Sequence, residues 1–450
     1  MSKTNPEIFK AYDIRGIYPE DIDEKAVYNI ARALAEHLKA GRVVVGRDIR
    51  NSSLDLEKAF VEGLTDSGCD AVLLGLSTTP MVYFASGKME DVDAGVIITA
   101  SHNPGEYNGL KLCKKDAVPI GEGSGMEEIK ELALKGDFAE AKEKGEVEKN
   151  DEMRRTYIGY MTGFFKTGGK KKKVAVDYAN AMGILDREVF EQFPEDLEMS
   201  YLFEDFDGNF PNHEANPLKT ETLEDLCEKV KKEGADLGVA YDGDADRAGF
   251  VDENGRVVPM DFTTALIGKE ILKKHPGGLV LVDLRSSNAV KEFLEESGGK
   301  VEHCRVGHSL IKAQMRRQGA VFAGELSGHY FFEENYKAEM TTLAVIMILN
   351  LLNETGKTMS EITEDLRRYH HTGEINSEVK DKKAVFDKLK EKYADGELNE
   401  LDGVRIDYPD WWFNVRASNT EPKIRLNLEA KSKELMEEKR DEVLEIVRGN

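Results

Sequence analysis

The chain has 450 residues, 85 of them acidic and 62 basic, for a formal net charge of −23. So acidic a surface excludes nucleic acid or an anionic membrane as the main partner, and a content of 40% apolar residues excludes a disordered chain. An acidic protein that takes an anionic substrate must gather its cations locally, and a chain this long divides into several domains.

The opening stretch MSKTNPEIFKAYDIRG lacks the apolar core of a secretion signal. None of the four cysteines (Cys69, Cys113, Cys227, Cys304) stands in a C-x-x-C pair, so neither a zinc site nor a disulfide framework is indicated. The most apolar run, Leu343 to Leu352, is too short to span a bilayer and predicts a buried helix. A cytoplasmic protein is expected.

In chain order, short apolar runs alternate with helix-length amphipathic segments, the pattern of an α/β fold. Three runs open equivalent units: Gly41–Asp48 (GRVVVGRD), Lys172–Gly183 (KKVAVDYANAMG) and Gly277–Ser287 (GGLVLVDLRSS). Each unit later holds a second strand ending in a polar, glycine-containing loop: GVIITASHNPG from Gly95, LGVAYDGDADR from Leu237 and AVFAGELSGHY from Ala320. Ligands of open α/β sheets bind beyond the carboxyl ends of the strands, so the three loops are expected to meet in one cleft. Beyond residue 368 the segments His370–Val379 and Gly403–Ala430 suggest an antiparallel sheet. The last segment, with Leu435, Met436, Val443, Ile446 and Val447 on one stripe, reads as a helix packed on it. The expected fold is therefore three similar α/β domains with mixed sheets and a smaller α+β domain around a central cleft, with boundaries 1–150, 151–256, 257–368 and 369–450.

The loops carry the chemistry. Asp242, Asp244 and Asp246 alternate with small residues, and three carboxylates so close repel one another unless a cation lies between them; hard oxygen ligands suit Mg²⁺ or Ca²⁺. An EF-hand is the rival, with Glu253 at the twelfth position. Arg247, however, stands where that loop requires Gly, and a strand rather than a helix leads in. The Asn254-Gly255 pair instead marks a hairpin turn. Ser101, at a strand end among turn-forming residues, is placed to carry a phosphoryl group; the G-x-S-x-G elbow of hydrolases is absent. Glu325, Ser327 and His329 form a set able to bridge neighbouring sugar hydroxyls. Arg416, Ser418, Asn419 and Thr420 make a phosphate cradle, with Arg15, Lys111, Arg247 and Arg285 as further local cations.

Taken together, TASHNP, DGDADR, GELSGH and RASNTEP resemble the signature loops of the α-D-phosphohexomutases, in the family's order, and the bacterial and archaeal phosphomannomutase/phosphoglucomutase branch in particular. AYDIRG, VGRDIR, FPNHEANP and GHSLIK extend the resemblance over nearly the whole chain. It implies a cycle in which phosphorylated Ser101 gives its phosphoryl group to a hexose 1- or 6-phosphate. A bound hexose 1,6-bisphosphate forms, turns over in the cleft and returns its other phosphate to the serine. It also implies Mg²⁺ held by Asp242, Asp244, Asp246 and a phosphoserine oxygen. Tyr12, Arg15 and Lys111 would line the catalytic side, with His308 and His329 on the sugar side. Lys111 and His329, and less so His308, are candidates for the general acid/base. The substrate is a small phosphosugar, with neither nucleic acid nor membrane as partner, and the assembly a monomer or homodimer.

Two positions depart from the family pattern. Leu326 replaces the Met that many mannose/glucose relatives carry, and Arg285 stands where some have Lys. Phosphoglucosamine mutases usually have Gln at position 326, which ranks that activity second. A phosphosugar-binding regulator has no need of a phosphoryl-carrying serine, and a Mg²⁺-dependent phosphatase would release phosphate without isomerisation.

Overall fold

The computed structural model describes residues 4–417 and 423–449. The first sheet contains β1 (Ile14–Ile17), β2 (Arg42–Arg47), β3 (Asp70–Leu76), β4 (Ala94–Ile98), β5 (Tyr107–Lys114), β6 (Val118–Pro119) and β7 (Val147–Lys149), in the order β1-β5-β4-β2-β3-β7 with β6 on β5. The second contains β8 (Lys172–Asp177), β9 (Leu197–Leu202), β10 (Leu237–Tyr241), β11 (Ala248–Val251) and β12 (Val257–Val258), in the order β12-β11-β10-β8-β9. The third contains β13 (Leu279–Asp283), β14 (Lys300–Cys304), β15 (Phe322–Gly324), β16 (Tyr330–Phe332) and β17 (Ala338–Glu339), in the order β14-β13-β15-β16-β17.

The threefold repeat is explicit in this topology. In each sheet the two strands that the apolar runs predicted lie side by side and parallel: β2 on β4, β8 on β10, β13 on β15. Each second strand then returns antiparallel through its polar loop, as β4–β5, β10–β11 and β15–β16. The central strands are apolar on both faces because helices cover both faces. The repeat extends to a local turn: the carboxylates of Asp48, Asp177 and Asp283, each at or just past the end of its strand, accept from the backbone N–H two residues on. At Asn254-Gly255 the chain folds β12 back on β11, with Gly255 at φ +65°, so the second sheet runs two residues past position 256.

The fourth sheet is antiparallel throughout: β18 (His370–His371), β19 (Ile375–Glu378), β20 (Glu397–Asn399), β21 (Val404–Asp407), β22 (Trp411–Ala417) and β23 (Lys423–Ala430). Helix Lys433–Arg448 packs on it through Met436, Val443, Leu444 and Val447. The apolar run at 343–352 lies inside the buried helix Thr341–Thr355, and among the described residues no helix is long and apolar enough to cross a membrane.

One apolar core runs continuously through the first three domains, whereas the fourth has its own. The seam between third and fourth is polar instead. Arg405 donates to the Leu284 carbonyl (2.6 Å) and to Asn288 (3.0 Å), and the Val306 N–H donates to Asp402 (3.1 Å).

Candidate active site

The serine loop is shaped from behind by Arg50. Its buried guanidinium donates to the carbonyls of Ser101 (2.8 Å), Asn103 (2.6 Å), Pro104 (2.5 Å) and Tyr107 (3.1 Å), while its Nε is held by Asp48 at 3.0 Å. Five N–H donors in a rigid fork suit this task; the three donors of lysine do not. Ser101 itself sits at φ +54°, a conformation a non-glycine residue keeps only when its surroundings impose it. The VGRDIR motif is legible in the sequence, but its bracing role is not: the carbonyls it binds lie more than fifty positions away.

Ser101 Oγ lies 3.1 Å from Asp242 Oδ2 and 3.2 Å from His102 Nδ1. Burial, followed by the charges of Arg247, Arg15 and Lys111, pushes His102 well below the usual imidazole range and keeps it neutral, while the serine hydroxyl donates to Asp242. The two loops touch at Gly243, where a Cβ would fall 2.2 Å from the Ser101 carbonyl oxygen; only glycine permits that approach.

Asp242, Asp244 and Asp246 are fully buried, with ligand atoms within 4.8 Å of one another. Burial and the two neighbouring carboxylates drive Asp242 well above the ordinary carboxyl range, whereas the charges of Lys111 and His329 outweigh burial and hold Asp246 well below it. Lys111 Nζ lies between Asp244 (2.6 Å) and Asp246 (2.5 Å). A cation is what this group of carboxylates requires. Asp244 Oδ1, moreover, is buried without a hydrogen-bond partner among the described residues. These residues fit a hard, oxygen-preferring divalent ion. Thr79, which the motifs did not reveal, orients Asp244: its hydroxyl donates to Oδ2 at 2.5 Å and its N–H to the Asp244 carbonyl at 2.9 Å. Asp246, His329 and Glu339 also cluster, but Lys312 already binds the Glu339 carboxylate.

The sugar loop joins the metal loop through His329. Its Nδ1 lies 2.6 Å from Glu325 Oε2 and its Nε2 lies 3.2 Å from Asp246 Oδ1. Burial opposes a charge on this ring, but Asp246 and Glu325 overcome it and push His329 up to about 9. Both ring nitrogens then donate, and Arg247 Nε, 3.2 Å from Nε2, is a close neighbour rather than a second donor. Glu325 also accepts from the Gly307 N–H (2.9 Å) and from Ser327 (2.7 Å); His329 first, then Arg285 and Ser327, outweigh its burial and hold it ionised below its ordinary range. His308 differs: burial and the cations Lys312 and Lys111 hold it well below the usual range and neutral. Lys111 moves the opposite way from a lysine base, because Asp244 and Asp246 outweigh its burial and raise it.

Over this buried floor opens a cavity of about 250 Å³. Nine of the residues singled out from sequence line it: Tyr12, Arg15, Arg247, Arg285, His308, Glu325, Ser327, His329 and Arg416. Arg15 is paired with Asp13 and donates to Asn103 at 2.7 Å. Arg285 is clamped by Asp283, with 2.8 Å from Nη2 and 3.1 Å from Nε. Ser418, Asn419 and Thr420 lie outside the described residues. Arg15 and Arg247 thus stand beside the serine and the carboxylate triad, Arg285 lies within 3.7 Å of Glu325 in the carboxylate–hydroxyl–imidazole set, and Arg416 completes the cationic lining from the fourth domain.

Four family models of phosphoglucomutase/phosphomannomutase match the chain in succession: alpha/beta/alpha domain I over residues 6–140, domain II over 155–255, domain III over 259–369 and the C-terminal domain over 374–446. The chain belongs to the phosphoglucomutase/phosphomannomutase family. It is 41% identical over 445 residues to a phosphomannomutase of Methanocaldococcus jannaschii, covering 98% of this chain and 97% of that one. It is 37% identical to a phosphomannomutase/phosphoglucomutase of Pseudomonas putida, covering 94% and 92%. A crystal structure of a family protein from Burkholderia thailandensis superposes with a TM-score of 0.90 at 32% identity, covering 98% and 97%. For a phosphoglucomutase/phosphomannomutase chain, the four loops named from sequence are the four that the domains bring to one cleft, as far as they are described.

Proposed function

We propose that the protein interconverts hexose 1-phosphate and hexose 6-phosphate, of mannose, glucose or both, by way of a phosphoserine at Ser101 and a bound hexose 1,6-bisphosphate. The observation that carries this is the placement of Ser101 Oγ 3.1 Å from the Asp242 carboxylate, with the serine's neighbours His102 and Asn103 lining the same cavity as Arg416. Mg²⁺ held by Asp242, Asp244, Asp246 and a phosphoserine oxygen would draw charge off the transferring phosphoryl group.

The chain's own residues do the rest. Arg50 and Gly243 hold the serine loop against the carboxylates, so the transferring oxygen and its acceptor meet in one geometry. Glu325 and Ser327 bind adjacent sugar hydroxyls, and two neighbouring hydroxyls present the same pattern after the sugar turns end for end. In each transfer the leaving oxygen takes a proton and the attacking hydroxyl gives one up; His329, charged at neutral pH and poised between Asp246 and Glu325, supplies the first and recovers the second. Arg416 and Arg285 hold the phosphate that is not reacting. Leu326, between Glu325 and Ser327, gives its N–H to Asp283 (2.6 Å), and its side chain has no hydrogen-bonding group to offer an amino sugar. The protein is cytoplasmic and works on free phosphosugars, as a monomer or homodimer.

The test compares glucose 1-phosphate, mannose 1-phosphate and glucosamine 1-phosphate with Mg²⁺ and a trace of glucose 1,6-bisphosphate, for the wild type and Ser101→Ala. Conversion of the first two, lost in the variant while its fold is kept, is the expected result. Near-wild-type turnover by Ser101→Ala would remove the phosphoserine, and preference for the glucosamine sugar would reassign position 326.

A further inference from the structure

The arginines of the phosphate end are not alone. Glu374, in the turn between β18 and β19, places Oε2 3.2 Å from Arg416 Nη2 and 3.7 Å from Arg285 Nη1, and Oε1 3.3 Å from Arg425 Nη1. All three guanidiniums line the cavity, and Arg285 comes from the third domain whereas the other two come from the fourth. No motif pointed to this carboxylate: it stands in HHTGEIN, far in sequence from all three arginines that it meets.

Three features show that the pairing is not a routine surface ion pair. Arg416 is 4% exposed, and its Nε is buried without a hydrogen-bond partner among the described residues. Among the described residues, part of its donor fork is therefore spent on Glu374 and part is unspent. Arg285 is already saturated on one edge by Asp283, so only its Nη1 corner turns toward Glu374. Burial works to raise Glu374, yet Arg285, Arg416 and Arg425 together hold it below the ordinary carboxylate range, so it stays ionised.

We propose that Glu374 is a built-in counter-anion of the phosphate cradle, a carboxylate that shares the arginines with an incoming phosphate and so limits how tightly they grip it. This rests on the assignment of Arg416 to the non-reacting phosphate. A bisphosphate that must let go at one end, turn and be held at the other is slowed by a cradle that binds too well: grip shared by every bound state lowers KM without speeding the chemical step. A carboxylate among the arginines weakens that grip while keeping the guanidiniums aligned.

The experiment is calorimetric titration of inorganic phosphate into wild type, Glu374→Gln and Arg416→Ala at two salt concentrations, with steady-state kinetics on the hexose 1-phosphate that the wild type converts. Gln keeps the shape and removes the charge. Glu374→Gln is expected to bind phosphate about five-fold more tightly, with a steeper salt dependence, and to lower both KM and kcat. Arg416→Ala is expected to bind it at least about five-fold more weakly. Phosphate affinity that is unchanged or weaker in Glu374→Gln, at an unaltered melting temperature, would overturn the proposal by making the carboxylate a bystander or a scaffold. A lower melting temperature with weaker binding would overturn it too, as the mark of a purely structural ion pair. Unchanged affinity in Arg416→Ala would instead remove the cradle itself, and the proposal with it.

Discussion

Glu429 offers a quantitative test of the polar seam between the third and fourth domains. It lies on β23, is 1% exposed, and uses one oxygen, Oε1, to accept from both Trp412 Nε1 (2.8 Å) and the Asn288 N–H (2.9 Å). Burial outweighs these hydrogen bonds and raises the carboxyl from 4.5 to about 7. The folded state therefore keeps a proton that the unfolded chain gives up, and stability falls as pH rises from about 4.5 to about 7, then stays low. At about 1.4 kcal/mol per tenfold change, ionised Glu429 costs the folded state about 3 kcal/mol above pH 7. In Glu429→Gln the amide carbonyl accepts both donors from the same position, and no charge forms. The variant is expected to melt with the wild type near pH 5, within about 1 kcal/mol, and to be more stable by up to about 3 kcal/mol at pH 8. Scanning calorimetry at the two pH values, with denaturant titration as a second probe, reads this directly. A difference that does not change with pH, or a variant less stable at pH 8, would refute the desolvated-carboxyl account of this seam.

Two further outcomes test the floor of the site. Gly243→Ala places a methyl against the Ser101 carbonyl and must separate the two loops; kcat is expected to fall about 100-fold while thermal stability drops by about 1–3 kcal/mol. Wild-type turnover would show that the loops need not touch. Arg50→Lys leaves a buried cation but cannot reach four carbonyls, so kcat is expected to fall with KM little changed, alongside faster amide exchange across residues 101–107. Unaltered exchange there would deny Arg50 its bracing role.

Much of the candidate site was legible because its chemistry is local in sequence. Three aspartates within five positions, a serine at a strand end and an E-x-S-x-H set each lie in one hairpin loop, where the repulsion or hydrogen bonding that defines them involves near neighbours. The strands were legible for a similar reason: VVV, VAV and LVLV are apolar on both faces, and only a parallel strand sheathed by helices buries both. Thr79, Arg50 and Glu374 were not legible. Each acts on a partner that the fold, not the spacing, supplies: Asp244 from another domain, carbonyls beyond position 100, and arginines of two domains.

What the sequence by itself determined is the repeated unit and the ionisable groups placed at the end of each strand, since periodicity and loop composition are short-range properties. The tertiary structure decided protonation and grip. His329 and His308 have the same side chain, yet one is pushed up to about 9 by Asp246 and Glu325 while the other is held neutral by burial beside Lys312. Lys111 is raised rather than lowered because the second domain's carboxylates close around it. Desolvation and Coulomb interactions depend on what surrounds a group within a few ångströms, and in this chain those surroundings come from three different domains.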